Sequence, residues 1–168
     1  MTLLVLGLGN DLLGDDGVGL RVADAVAREG LREVQVQKSA VAGLYLIDLL
    51  EGFDDLIVVD SVPGDPTGAV LELDLRKFVA LAPSAHYAGL PEALGLAEAA
   101  GMQVPRRVAI VAVTIGGAQT VGADIDPSVA AAVPGAVAQV LRIARQWGHG
   151  GEPPPAPSST RRRKGRRA

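Results

Sequence analysis

A single three-layer α/β domain, with a mostly parallel twisted sheet of about five strands and helices on both faces, is the fold this sequence predicts. Three observations carry the prediction. The runs Leu3–Leu6, Leu56–Val59 and Val108–Val113 are unbroken and apolar, as strands buried on both faces are. The segments between them place apolar residues at helical spacing and end in glycine, which gives the alternating strand and helix order of a covered parallel sheet. The chain is also 48% hydrophobic but only 3% aromatic, so its core is built from Leu, Val, Ile and Ala. With 168 residues, it holds one ordinary domain rather than two.

The elements follow in order. Leu3–Leu6 is a strand closed by Gly7, and Gly7, Gly9 and Asn10 make a turn in which Asn10 tolerates a left-handed conformation. Asp15 or Asp16 then caps a helix whose face is Val18, Val22, Ala25 and Val26, with Gly30 as its stop. Val34–Val36 alternates like a short strand with one wet side, and Leu44–Leu50 is a helix that Gly52 ends. Leu56–Val59 is a strand running into Asp60, followed by the turn Pro63–Pro66. Val70–Leu75 alternates cleanly and reads as an edge strand antiparallel to its neighbour. A loop holding Pro83–His86 leads to a helix with Leu90, Leu94 and Ala97, closed by Gly101. Val108–Val113 is the last buried strand and Gly116–Gly117 ends it. Asp126 caps a final helix with Pro127 at its first position and a stripe of Val129, Val133, Val137, Val140, Leu141 and Ala144, which Pro134 is expected to kink.

Residues 1–147 are read as the α/β domain and 148–168 as a disordered, Pro- and Arg-rich basic tail. Residues 151–168 carry six basic groups and one acid, leaving ten basic groups against eighteen acids in the first 150 residues, a net charge of −8. A body of that sign is not expected to bind nucleic acid, which needs a basic face to neutralise phosphate. The absence of cysteine excludes disulfides, thiolate metal sites and cysteine nucleophiles, and fits a reducing cytoplasm. The first apolar run is short and flows into a glycine turn, so neither a signal peptide nor a membrane span is expected from it.

In open α/β sheets ligands bind beyond the carboxyl ends of the strands. That rule makes the loop after the first strand, with Asp15 and Asp16, and the end of the third strand, with Asp60, the places to look for chemistry. A dinucleotide fingerprint would need glycine at position 12, where Leu12 stands, and two carboxylates compete with a phosphate for a helix N-terminus. Walker, H-E-x-x-H and G-x-S-x-G motifs are absent, so any site must be assembled from separate loops. Plainer readings stand beside these: the aspartates of the first loop cap a helix, Asp60 belongs to a turn, and His86 is a surface or capping residue.

The stretch GLGNDLLGDDGVG, residues 7–19, resembles the N-terminal signature of the hydrogenase maturation endopeptidases. The likeness in order of elements extends over residues 1–147, and Ser84-Ala85-His86 resembles the family's Ser-x-His element. Where the family often carries an acid followed by small residues, this chain has Lys38-Ser39-Ala40. The resemblance implies an endopeptidase that removes the C-terminal extension of the large-subunit precursor of a nickel-iron hydrogenase after nickel insertion. It implies that Asp16, Asp60 and His86 are the catalytic and metal-recognising residues, that the nickel comes with the precursor, and that no organic cofactor takes part.

Two carboxylates and one imidazole suit a borderline divalent ion such as nickel, zinc or manganese, with weak selectivity among them. The ion would polarise the scissile carbonyl or activate water, with Asp16 or Asp60 as base. Two rival readings use the same acids: an aspartic-type pair in which Asp16 and Asp60 share a proton without metal, and a noncatalytic α/β module whose acidic cleft holds a metal or a cation.

Overall fold

In the computed structural model, residues 1–41, 43–75, 89–117 and 119–151 are described. The apolar runs form the centre of the sheet. β1 (Leu3–Leu8) is buried along its whole length, as are the central residues of β3 (Asp55–Pro63) and β5 (Arg107–Ile115). β2 (Val34–Ser39) and β4 (Val70–Leu73) are the edges of the order β2-β1-β3-β5-β4. All neighbours run parallel except β4, which is antiparallel to β5, as its polar alternation predicts.

Side-chain alternation sorts each buried strand between two cores. Leu3, Val5, Ile57, Val59, Val111 and Val113 face a layer made by α1 (Val18–Arg28) and α4 (Pro127–Gln146). Leu4, Leu6, Leu56, Val58 and Ile110 face the opposite layer, built from a 3-10 turn (Gly43–Leu46), α2 (Ile47–Leu50) and α3 (Leu90–Ala99). This is the expected three-layer domain.

The departures from expectation are local. The helix expected over Leu44–Leu50 begins as a 3-10 turn. α4 runs through Pro134 as one helix, and its buried stripe is Val129, Ala132, Ala136, Val140, Ile143 and Ala144, while Val133 and Val137 lie at its margin. Small alanines let the helix sit close on β5, a preference that hydrophobic spacing alone does not reveal. α4 is long and apolar enough by composition to cross a bilayer, and here that stripe packs on the sheet.

The expected domain boundary at residue 147 is corrected. His149 is only 4% exposed and its Nε2 lies 2.6 Å from Asp55 Oδ2. Arg107 grips the same carboxylate through Nε at 2.7 Å and Nη2 at 2.5 Å, donates to the Trp147 carbonyl and stacks over the Trp147 ring. Residues 148–151 therefore belong to the body, and residues 152–168 lie outside the described residues. Burial pushes the Asp55 carboxyl up, but hydrogen bonds from Arg107 and His149 and the guanidinium charge outweigh it and hold it below the usual range. The stability this carboxylate contributes is therefore present above its ordinary pKa and lost as pH falls through the lowered one. His149→Ala is expected to cost about 1–3 kcal/mol in urea denaturation at pH 7, the usual range for a hydrogen bond to a charged group.

The close approach of α1 to the sheet positions everything that follows. A Cβ on Gly19 would stand 2.2 Å from the Leu8 carbonyl and 2.5 Å from that of Val59, both rigid backbone. Gly19→Val is expected to destabilise the fold by about 3 kcal/mol or more in the same assay, because the helix must lift off the strands.

Candidate active site

The chain leaves β1 at Leu8 and turns at Gly9, whose φ of +146° and 2.0 Å virtual Cβ contact with the Asp16 carbonyl exclude a side chain. Asn10 is extended, not left-handed, and its side chain accepts the Leu12 amide at 3.0 Å to cap a 3-10 segment over Asp11–Gly17. α1 then begins without a side-chain cap. Asp15 and Asp16 are thus released from the capping role expected of one of them.

Asp15 ties down a neighbouring loop. Its carboxylate accepts the Asp126 amide at 2.6 Å, and its own amide donates to Gln119 Oε1 at 3.1 Å. The Gly122 amide donates to the Leu12 carbonyl at 2.8 Å. The segment after β5 is thereby strapped across the first loop, and Asp126 still caps α4 through the Ser128 amide.

Asp16 points the other way. Its Oδ2 accepts the Asn10 amide at 3.1 Å, and its Oδ1 accepts the Ser61 hydroxyl at 2.9 Å. Pairing of β1 with β3 ends at Gly7 and Val59, whereas β3 continues beside β5 to Pro63. Asp60 stands one residue past the point where β1 leaves, so the strand runs through this acid instead of ending there. At 3% exposure it is a buried carboxyl, and its Oδ1 accepts the Ser61 amide at 2.5 Å. The Ser61 side chain also hydrogen-bonds this carboxyl.

Burial pushes the Asp60 carboxyl well above the usual carboxylate range; the Ser61 amide and side chain pull it down, and the charge of Asp16 raises it further. The two acids therefore differ in character: Asp16 is half-buried and held by two donors, while Asp60 is buried in surroundings that favour its protonated form. Such a pair can both accept and deliver a proton. The structure brings Asp16 and Asp60 together through Ser61, a residue that sequence reasoning passed over. The signal available was its place directly after an acid at the end of an apolar run.

His86 lies outside the described residues, as do Ser84 and Ala85. Among the described residues, no group of three histidine or acidic side chains is placed to hold an ion, and Asp16 and Asp60 account for two donors of the expected set. Bulky apolar side chains stand exposed in the loops that leave the same edge of the sheet: Leu12 at 64%, Val121 at 75% and Tyr45 at 79%. A groove of about 630 Å³ runs along α3 and the segment entering β5, lined by Pro91, Leu94, Glu98, Met102 and Arg106, and takes in neither acid.

The family model for hydrogenase maturation proteases matches residues 21–143, more than half of the chain. The chain belongs to this family. It is similar to the hydrogenase expression/formation protein HupD of Rhizobium leguminosarum bv. viciae, with 32% identity over 87% of this chain and 75% of that protein. It is also similar to the hydrogenase 2 maturation protease of Escherichia coli K12, with 28% identity over 88% of this chain and 93% of that protein. Among solved structures, the hydrogenase maturating endopeptidase HybD from E. coli superposes with a TM-score of 0.76 at 26% identity, covering 89% of this chain and 96% of the other. As a member of this family, the chain is a peptidase.

Proposed function

We propose that this protease removes the C-terminal extension of a nickel-iron hydrogenase large-subunit precursor in the cytoplasm, and that Asp16, Asp60 and His86 meet the nickel carried by that precursor. The observation that carries the reading is the pair of acids, one from the segment after β1 and one within β3, joined at Ser61 on the carboxyl edge of the sheet. The exposed Leu12, Val121 and Tyr45 leave apolar side chains open to a protein substrate in segments that follow β1, β5 and β2.

In this reading the chain's own groups orient a water and move its proton. Asp16, held by Asn10 and Ser61, is the fixed carboxylate that accepts the proton of the attacking water. Burial favours a proton on Asp60, which suits it to deliver one to the leaving amine when no ion holds it. The precursor's nickel adds Lewis-acid polarisation at the scissile carbonyl when it is present. A site with two carboxylates and one imidazole holds borderline metals less tightly than a thiolate cage, so the metal is expected to arrive with the substrate.

A second reading, the proton-sharing aspartate pair acting without metal, is favoured by one specific observation: Asp60 is buried beside the charge of Asp16 and its proton affinity is raised. The test of the main reading is to incubate the purified chain with purified nickel-loaded precursor and determine the mass of the large subunit. Loss of a C-terminal segment is expected, and an unchanged mass would refute it.

A further inference from the structure

We propose that Ser61 is a positioning residue of the cleavage reaction, one that fixes Asp16 and Asp60 relative to each other. The proposal deepens the peptidase reading and rests on it. Ser61 follows Asp60 on β3, and successive strand residues face opposite sides of the sheet. Asp60 therefore lies on the side of Val58 and Val62, towards α2 and α3, while Ser61 lies on the side of Val59, where the loop carrying Asp16 descends into α1. From that position its hydroxyl reaches Asp16 Oδ1 at 2.9 Å and its amide reaches Asp60 Oδ1 at 2.5 Å.

The two bonds differ in what a substitution can remove. The amide bond to Asp60 survives any side chain, whereas the bond to Asp16 depends on the hydroxyl alone. The Ser61 hydroxyl stands between the two acids, 2.9 Å from Asp16 Oδ1 and also within hydrogen-bond reach of the Asp60 carboxyl, and a hydrogen bond to a carboxylate is strong and directional. Without it Asp16 keeps only the Asn10 amide, on its other oxygen, and the terminal torsion of an aspartate is broad. The carboxylate then swings about a single point of attachment. Ser61 is itself buried, so removing the hydroxyl changes no exposed surface that a precursor would grip. The effect should fall on the chemical step and not on docking, because small displacements of a catalytic group lower rate steeply.

The experiment compares wild type, Ser61→Ala and Ser61→Thr on the nickel-loaded precursor, and adds a crystal structure of Ser61→Ala. Expected are a kcat at least tenfold lower for Ser61→Ala with KM within twofold of wild type, recovery to within threefold by Ser61→Thr, and an Asp16 carboxylate rotated away from its wild-type orientation in the crystal. The proposal is overturned if Ser61→Ala keeps kcat within twofold, if Ser61→Thr falls as far as Ser61→Ala, or if Asp16 is unmoved in the crystal structure. A wild-type protein that leaves the precursor whole would count against the peptidase reading, and the orientation of Asp16 would still decide whether Ser61 fixes it.

Discussion

Asp60→Asn is expected to abolish processing and at the same time to stabilise the chain. Burial and the neighbouring charge of Asp16 raise the proton affinity of Asp60, so the charged form is the unfavourable one inside the fold. A carboxyl raised in this way contributes its full stability below its unfolded pKa and loses it as pH rises through the folded value. Asparagine cannot ionise, keeps the shape, and offers the same oxygen to the Ser61 amide. At pH 7 the variant should gain on the order of 1 kcal/mol, about 2–4 °C in Tm for a chain of this size, and the decline of stability with rising pH should flatten. Its cleavage rate should fall by about 100-fold or more, since on the proposed mechanism the buried acid that delivers a proton is gone. Calorimetry over pH 5–9 beside a processing assay reads both effects; lower stability together with full activity would refute the assignment.

Asp16→Asn should also lose about 100-fold in rate, but without any gain in stability. Asp16 is half-buried and its two oxygens accept from Asn10 and Ser61. An asparagine can satisfy only one of these donors and turns its amide toward the other, so a loss of roughly 1 kcal/mol is expected. The opposite signs in Tm separate the two acids, which a rate assay alone does not. Equal stabilisation by both substitutions would contradict the distinction drawn between a held carboxylate and a buried acid.

The division between what the residues announced and what they concealed follows from range. The three apolar runs placed β1, β3 and β5 because burial on both faces leaves a continuous apolar signal, and Val70–Leu73 declared its edge position by alternation. Asp60 was legible as a candidate because it follows an apolar run, and Asp16 because it sits in the loop after the first strand, beyond the carboxyl end of the sheet. Ser61 was not, since its partner Asp16 lies 45 residues away and only the register of β3 against the first loop joins them. His149 was misread for the converse reason: glycine and proline around it signal a tail, and nothing local reveals that Asp55, 94 residues earlier, holds its ring. The 3-10 segment after Asn10 escaped because Asp15 and Asp16 look like helix caps, while their actual partners are Asp126, Gln119 and Ser61.

If Asp16, Asp60 and His86 recognise nickel as proposed, the ion arrives with the substrate. The most direct measurement gives protease of verified zero metal content two forms of the same precursor, nickel-loaded and nickel-free, and follows the mass of the large subunit with time. Cleavage of the loaded form with the empty form intact is the predicted result. Cleavage of both at equal rates would contradict it and leave the aspartate pair as the catalyst.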